Sequence, residues 1–177
     1  MAKLYLLGSI GYPGSGKSTF FTRFSQERGL LHWQNDEVRR RLFAHPEHNR
    51  AENQQLNRVA YYALGQSLGA GISAIFDVNL NRHEHRQHLT ALARRYGAEF
   101  CLLWFQVPLE VAQERSRLRA EQATGELKDY YDTFDPDFVK RMSARLQHPG
   151  PDEPVIIIDG KASYEDQRQT VLSRLEF

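Results

Sequence analysis

The chain of 177 residues has a single cysteine, Cys101, so no disulfide can form within it. A disulfide-stapled secreted scaffold is therefore excluded, and a reducing, cytoplasmic setting is the expectation. No apolar stretch reaches the ~18 residues of a spanning helix. The apolar start, residues 1–8, is too short for a signal peptide and has no cleavage site after it. Charge of one sign is scarce too: 23 Lys and Arg face 22 Asp and Glu, a net charge of +1. That removes a global basic field as an argument for nucleic-acid binding and leaves only a local groove. Internal repeats, low-complexity tracts and domain-sized linkers are absent. What remains is an ordinary globular balance, 41% hydrophobic and 25% charged, in a length that suits one domain over 1–177. Such a chain can bury a core without a metal staple.

Short apolar runs alternate with helical patterns. Strands are predicted at 4–10, 30–34, 72–77, 99–107 and 155–158, the last fully apolar. Helices are predicted at 17–28, 36–43, 50–68, 82–96, from Pro108 onward, 136–146 and 164–175. Gly29, Gly69 and Gly97 are read as their stops and Asn81 as an N-cap. Residues 125–133 read as a mobile polar loop, and Pro149-Gly150-Pro151 as a turn. The alternation implies βαβ units, hence an α/β fold with a five-stranded parallel sheet and helices on both faces.

Gly11-Tyr12-Pro13-Gly14-Ser15-Gly16-Lys17-Ser18 matches G-x-x-x-x-G-K-[ST] between a strand and a helix. Glycines let the backbone curl until several N–H groups face one anion. The helix N-terminus adds its positive dipole end. Lys17 can reach the β- and γ-phosphates of ATP. Ser18 can join Mg²⁺, with Thr19 as a second hydroxyl nearby. The motif implies a P-loop NTPase fold; by itself it does not separate kinase, ATPase and switch.

Phosphoryl transfer further needs a base and charge neutralisation. Asp36 follows the second strand, where parallel strands deliver their carboxyl ends to the P-loop edge. It reads either as a base for a substrate hydroxyl or as a helix cap. Arg39, one turn on, can hold a substrate phosphate or carboxylate. Asp77 ends the third strand, placed to bind substrate, to hold Mg²⁺ through water or to fix the P-loop serine; a turn aspartate is the alternative. Arg115, Arg117 and Arg119 read as lid arginines over residues 115–135 or as a solvated basic face, with Arg115 and Arg119 on one side of the helix.

Other features point to packing. His83, His85 and His88 lack a further ligand set, so they read as surface. Phe20, Phe21 and Phe24 form a core stripe. Cys101 lies in the apolar run 100–105 and reads as buried. The pair Tyr61-Tyr62 is expected to pack, and Tyr130-Tyr131 to reach substrate from the lid.

Taken together, these segments resemble phage-type polynucleotide 5′-hydroxyl kinases and their bacterial relatives over roughly residues 4–160. The run from Ile10 to Thr19 resembles their P-loop, and Asp36-Glu37-Val38-Arg39 their D-x-x-R. Asp77-Val78-Asn79-Leu80-Asn81 with Arg86 resembles their D-x-N-L-N and following arginine; Val107-Pro108, then Arg115 and Arg119, the start of their lid. The resemblance implies an adenylate-kinase-like fold with a lid and a kinase without the phosphatase half of the phage enzyme. It implies that Lys17, Asp36 and Arg119 are catalytic, with Asp36 the general base. Arg39 would dock the acceptor's phosphate and Arg115 would lie near the nucleotide. Residues 121–133 differ from the phage lid. The acceptor is therefore a polynucleotide or nucleoside 5′-hydroxyl, or a small metabolite; a non-enzymatic ATP-binding switch is the third reading.

Overall fold

The computed structural model describes residues 3–47, 49–124 and 144–176. The predicted loop at 125–133, Tyr130-Tyr131 and most of the helix at 136–146 lie outside them. Five strands form one sheet: β1 (Tyr5–Ile10), β2 (Leu31–Gln34), β3 (Ala74–Asn79), β4 (Glu99–Gln106) and β5 (Val155–Asp159). Their order is β2-β3-β1-β4-β5, and every pairing is parallel. The described helices are α1 (Lys17–Arg28), α2 (Asn35–Leu42), α3 (Arg50–Gly69), α4 (His83–Arg95), α5 (Leu109–Gln122) and α6 (Tyr164–Leu172).

Parallel strands covered on both faces should be apolar throughout, and all six residues of β1 are buried. Its side chains alternate between two cores. Tyr5 and Leu7 join Phe20, Phe21 and Phe24 of α1 and Val171 of α6. Leu6 and Ile10 join Leu64 and Leu68 of α3 and Leu89 and Ala93 of α4. The result is the three-layer α/β architecture expected from the alternation. The phenylalanine stripe and Cys101 are core, as read; burial pushes the Cys101 thiol up to about 12.

Some local expectations fail for identifiable reasons. Gly69 does not stop α3 but is its last residue. The reversal comes at Gly71 (φ 78°), where the Ile72 N–H reaches back to the Ser67 carbonyl, a Schellman-type closure. Ile72 is thereby left exposed and β3 starts at Ala74, two residues later than predicted. Asn81 is not the N-cap of α4: that position is Arg82, and the His83 N–H is met by the Gln147 side chain at 2.6 Å. β5 is not covered on both faces, since Ile157 is 57% exposed at the sheet edge. Tyr61 packs against Phe76 and His88, whereas Tyr62 points to solvent.

Candidate active site

The loop between β1 and α1 curls around a β-turn in which the Ser15 N–H bonds the Tyr12 carbonyl at 3.0 Å. Gly14 sits at φ 85°, and a Cβ there would lie 2.3 Å from the Ala112 carbonyl oxygen. Only glycine lets α5 come this close to the loop. The cap of α1 is Gly16, which has no side chain to bond the first-turn N–H groups. These amides and the dipole end make an anion cradle. Ser18 and Thr19 are exposed on that same turn.

The Lys17 ammonium donates to the carbonyls of Gly11 (2.9 Å) and Tyr12 (2.8 Å) and to the Ser15 hydroxyl (3.3 Å). Burial lowers its pKa from 10.5 to about 8; the Asp77 charge opposes that shift and Arg119 adds to it. Asp77 and Arg119, predicted from two other segments, thus lie within electrostatic reach of Lys17.

A cavity of about 720 Å³ opens beside the loop. Gly14, Gly16 and Thr19 form one wall, Arg115 and Arg119 another, and Gly160, Tyr164 and Gln167 a third. Arg115 bonds the Gly160 carbonyl at 2.7 Å, joining α5 to the turn after β5. Gln167 holds that turn through the carbonyls of Asp159 (2.9 Å) and Ala162 (3.3 Å). Arg23 lies 3.9 Å over the Tyr164 ring. Sequence reading missed Arg23, Gly160, Tyr164 and Gln167, because no motif marks the turn after β5. Arg117 is not part of the cavity; it pairs with Glu114 and Glu121 on the outer face of α5.

On β3, Asp77 has a side chain only 4% exposed. Its Oδ2 accepts a bond from Gln34 Nε2 at 3.0 Å and lies 3.2 Å from His32 Nε2. Asn79 donates to the Gly11 carbonyl at 3.2 Å, tying the end of β3 to the start of the cradle.

Asp36 is exposed in the first turn of α2. It is not the cap, which is Gln34. Arg39 points the other way, into the contact with α3, where it bonds Glu52 and Asn53 at 2.5 Å each. Both terminal nitrogens are committed there, and among the described residues Nε is buried without a partner. Arg86 is fully buried, doubly bonded to Glu153 at 2.7 and 3.0 Å and to the Leu80 carbonyl at 2.9 Å. It fastens the segment at 153 to the loop after β3. Burial alone would raise the Glu153 pKa, but the bonds from Arg86 and Gly150, with the charges of Arg86 and His83, hold it below the usual range. Among the described residues no three His, Cys, Asp or Glu side chains cluster to hold a metal; His83, His85 and His88 are exposed on α4, as read.

No sequence among the curated proteins matches this chain. Several solved structures do. A sugar kinase from Janibacter sp., unliganded, is 19% identical with a TM-score of 0.65, over 98% of this chain and 94% of that one. Chaetomium thermophilum Kti12 in complex with ADP-AlF3 is 19% identical with a TM-score of 0.67, over 93% and 94%. A chain of the Pnkp1/Rnl/Hen1 RNA repair complex is 21% identical with a TM-score of 0.69, over 83% of this chain but 45% of that one. At these identities the likeness is one of fold, a kinase-like P-loop fold. A model of the AAA domain family AAA_33 matches residues 6–149, most of the chain and every P-loop residue, and the protein belongs to that family.

Proposed function

We propose that this protein is a cytoplasmic, ATP-dependent kinase of one domain that transfers the γ-phosphate to a hydroxyl, with a polynucleotide or nucleoside 5′-hydroxyl as the first candidate. The observation that carries the reading is the shared cavity: P-loop glycines and two arginines of α5 line the same space, with Lys17 and Asp77 beside it. A switch needs a phosphate cradle. It does not need two further cations over it.

ATP would lay its phosphates along the amides of residues 11–19, with its nucleoside in the cavity beside Arg115 and Gly160. Lys17 would leave the Gly11 and Tyr12 carbonyls for the β- and γ-phosphates, an exchange of neutral for charged acceptors. Asp36 takes the proton from the acceptor hydroxyl, whose oxygen attacks the γ-phosphorus while the bond to ADP breaks. Lys17 and Arg119 spread the charge that develops on the transferring oxygens. The hard oxygen donors Ser18 and Asp77 fit Mg²⁺, a cation that keeps waters and phosphate oxygens and needs no all-protein cage. When bound, directly or through water, it would neutralise phosphate charge.

The acceptor side supports a second reading. With both terminal nitrogens on Glu52 and Asn53, Arg39 docks a substrate phosphate only by exchanging those partners. That favours a small metabolite, as does the net charge of +1. The test is γ-labelled ATP against 5′-hydroxyl oligonucleotides and a panel of small polyols. Oligonucleotide labelling that weakens with rising salt supports the first reading; labelling of a polyol alone supports the second. ATP binding with no labelled acceptor would overturn both in favour of a switch.

A further inference from the structure

We infer that His32 and Gln34 are positioning residues that hold the Asp77 carboxylate in register with the phosphate cradle; the inference rests on the proposed metal-side role of Asp77. Residues two apart on a strand point to the same face. For β2 that face is the α1 side, because the His32 ring meets the edge of Phe21 at 6.2 Å. The parallel register sets Gln34 beside Asp77 and His32 one step back beside Ile75. Both side chains converge on a single oxygen, Oδ2, at 3.0 and 3.2 Å. With the carboxylate ionised, His32 donates through Nε2–H.

The backbone at Asp77 explains the need for this clamp. Pairing with β1 jumps from Gly8 opposite Phe76 to Ser9 opposite Asn79. Asp77 and Val78 therefore lie in an irregularity that β1 does not register, and bulges of this kind re-aim side chains. A carboxylate 4% exposed also needs hydrogen-bond partners for its oxygens. β2 supplies two, and together they fix the direction in which the carboxylate presents its charge. That charge still reaches Lys17.

The experiment is calorimetric binding of a non-hydrolysable ATP analogue to the full chain, with and without Mg²⁺. Asp77→Asn gives the reference and should remove most of the Mg²⁺-dependent gain in affinity. His32→Phe keeps a ring but loses the donor. It should shrink the gain about tenfold with Mg²⁺-free affinity unchanged, as should Gln34→Met. His32→Gln restores an N–H and should recover most of it. If Asp77→Asn leaves the gain intact, the role of Asp77 is wrong and the inference falls with it. If Asp77→Asn removes the gain while folded His32→Phe and Gln34→Met keep it, the clamp alone is overturned. Equal losses with and without Mg²⁺ mark a structural role and also overturn it. Should His32→Phe not fold, Gln34→Met and His32→Gln decide.

Discussion

Two groups of cations in this molecule are held in opposite ways. Lys17 and Arg115, at the cradle and its cavity, bond neutral oxygens: the carbonyls of Gly11, Tyr12 and Gly160 and the Ser15 hydroxyl. Arg39 on α2 and Arg86 on α4 bond the carboxylates of Glu52 and Glu153. A carbonyl fixes a cation without cancelling its charge; a carboxylate cancels it. Charge is thus kept available where a triphosphate would enter and consumed where the molecule is fastened together. Arginine thus holds a neutral carbonyl in one place and a carboxylate in the other, and the partner decides how much of its charge stays available.

The contrast breaks most severely at Lys17. Lys17→Met should lower phosphoryl transfer by about 10²–10³-fold or more, as for removal of one preorganised electrostatic contact in a desolvated site. Single-turnover kinetics with labelled ATP would measure it. Arg86→Met should cost stability instead. Breaking a buried pair and stranding its partner costs about 3–5 kcal/mol, or roughly 6–20 °C in Tm for a chain of this size. Denaturant and thermal melts of Arg86→Met, and of Arg86→Met with Glu153→Leu to remove the stranded charge, would resolve it. The double variant should recover most of the loss.

A pH series sharpens the contrast further. Lys17 has its pKa lowered by burial to about 8 against an ordinary 10.5. Only the protonated amine attracts phosphate, so nucleotide affinity should fall above pH 8, by at most tenfold per pH unit. Folding has the opposite sign: between about 8 and 10.5 the unfolded chain holds a proton there that the folded chain lacks, so this group's contribution to stability rises with pH. Lys17→Met should flatten both trends. The smallest contrast lies on α5. Arg115→Ala should weaken nucleotide binding by about tenfold, within the range of a charge-assisted hydrogen bond. Arg117→Ala, on the same helix, should change neither binding nor stability by more than about 0.5 kcal/mol, because its ion pairs are exposed.

The cradle was legible in the sequence because its function is carried by the backbone, and backbone curvature is written in glycines at fixed spacing. The central strands β1, β3 and β4 were legible because a doubly covered parallel sheet requires continuous apolar runs. Partners from distant segments were not legible. Gln147 caps a helix that starts 64 residues earlier, and no local signal marks it. No motif singles out Glu52 and Glu153, which the fold brings to Arg39 and Arg86. His32 and Gln34 carry no motif within the strand predicted at 30–34, although both end on Asp77. The two-residue shift of β3 arose because Gly71, rather than Gly69, takes the left-handed conformation that closes α3. Spacing alone does not choose between two glycines so close together.

The central claim is transfer to a hydroxyl with Asp36 as base, and the most direct measurement compares wild type with Asp36→Asn once an acceptor is labelled. Asp36→Asn should lower the rate of transfer by about 10²–10⁴-fold while nucleotide affinity stays within twofold of wild type. Transfer at the wild-type rate by a folded Asp36→Asn protein would contradict it.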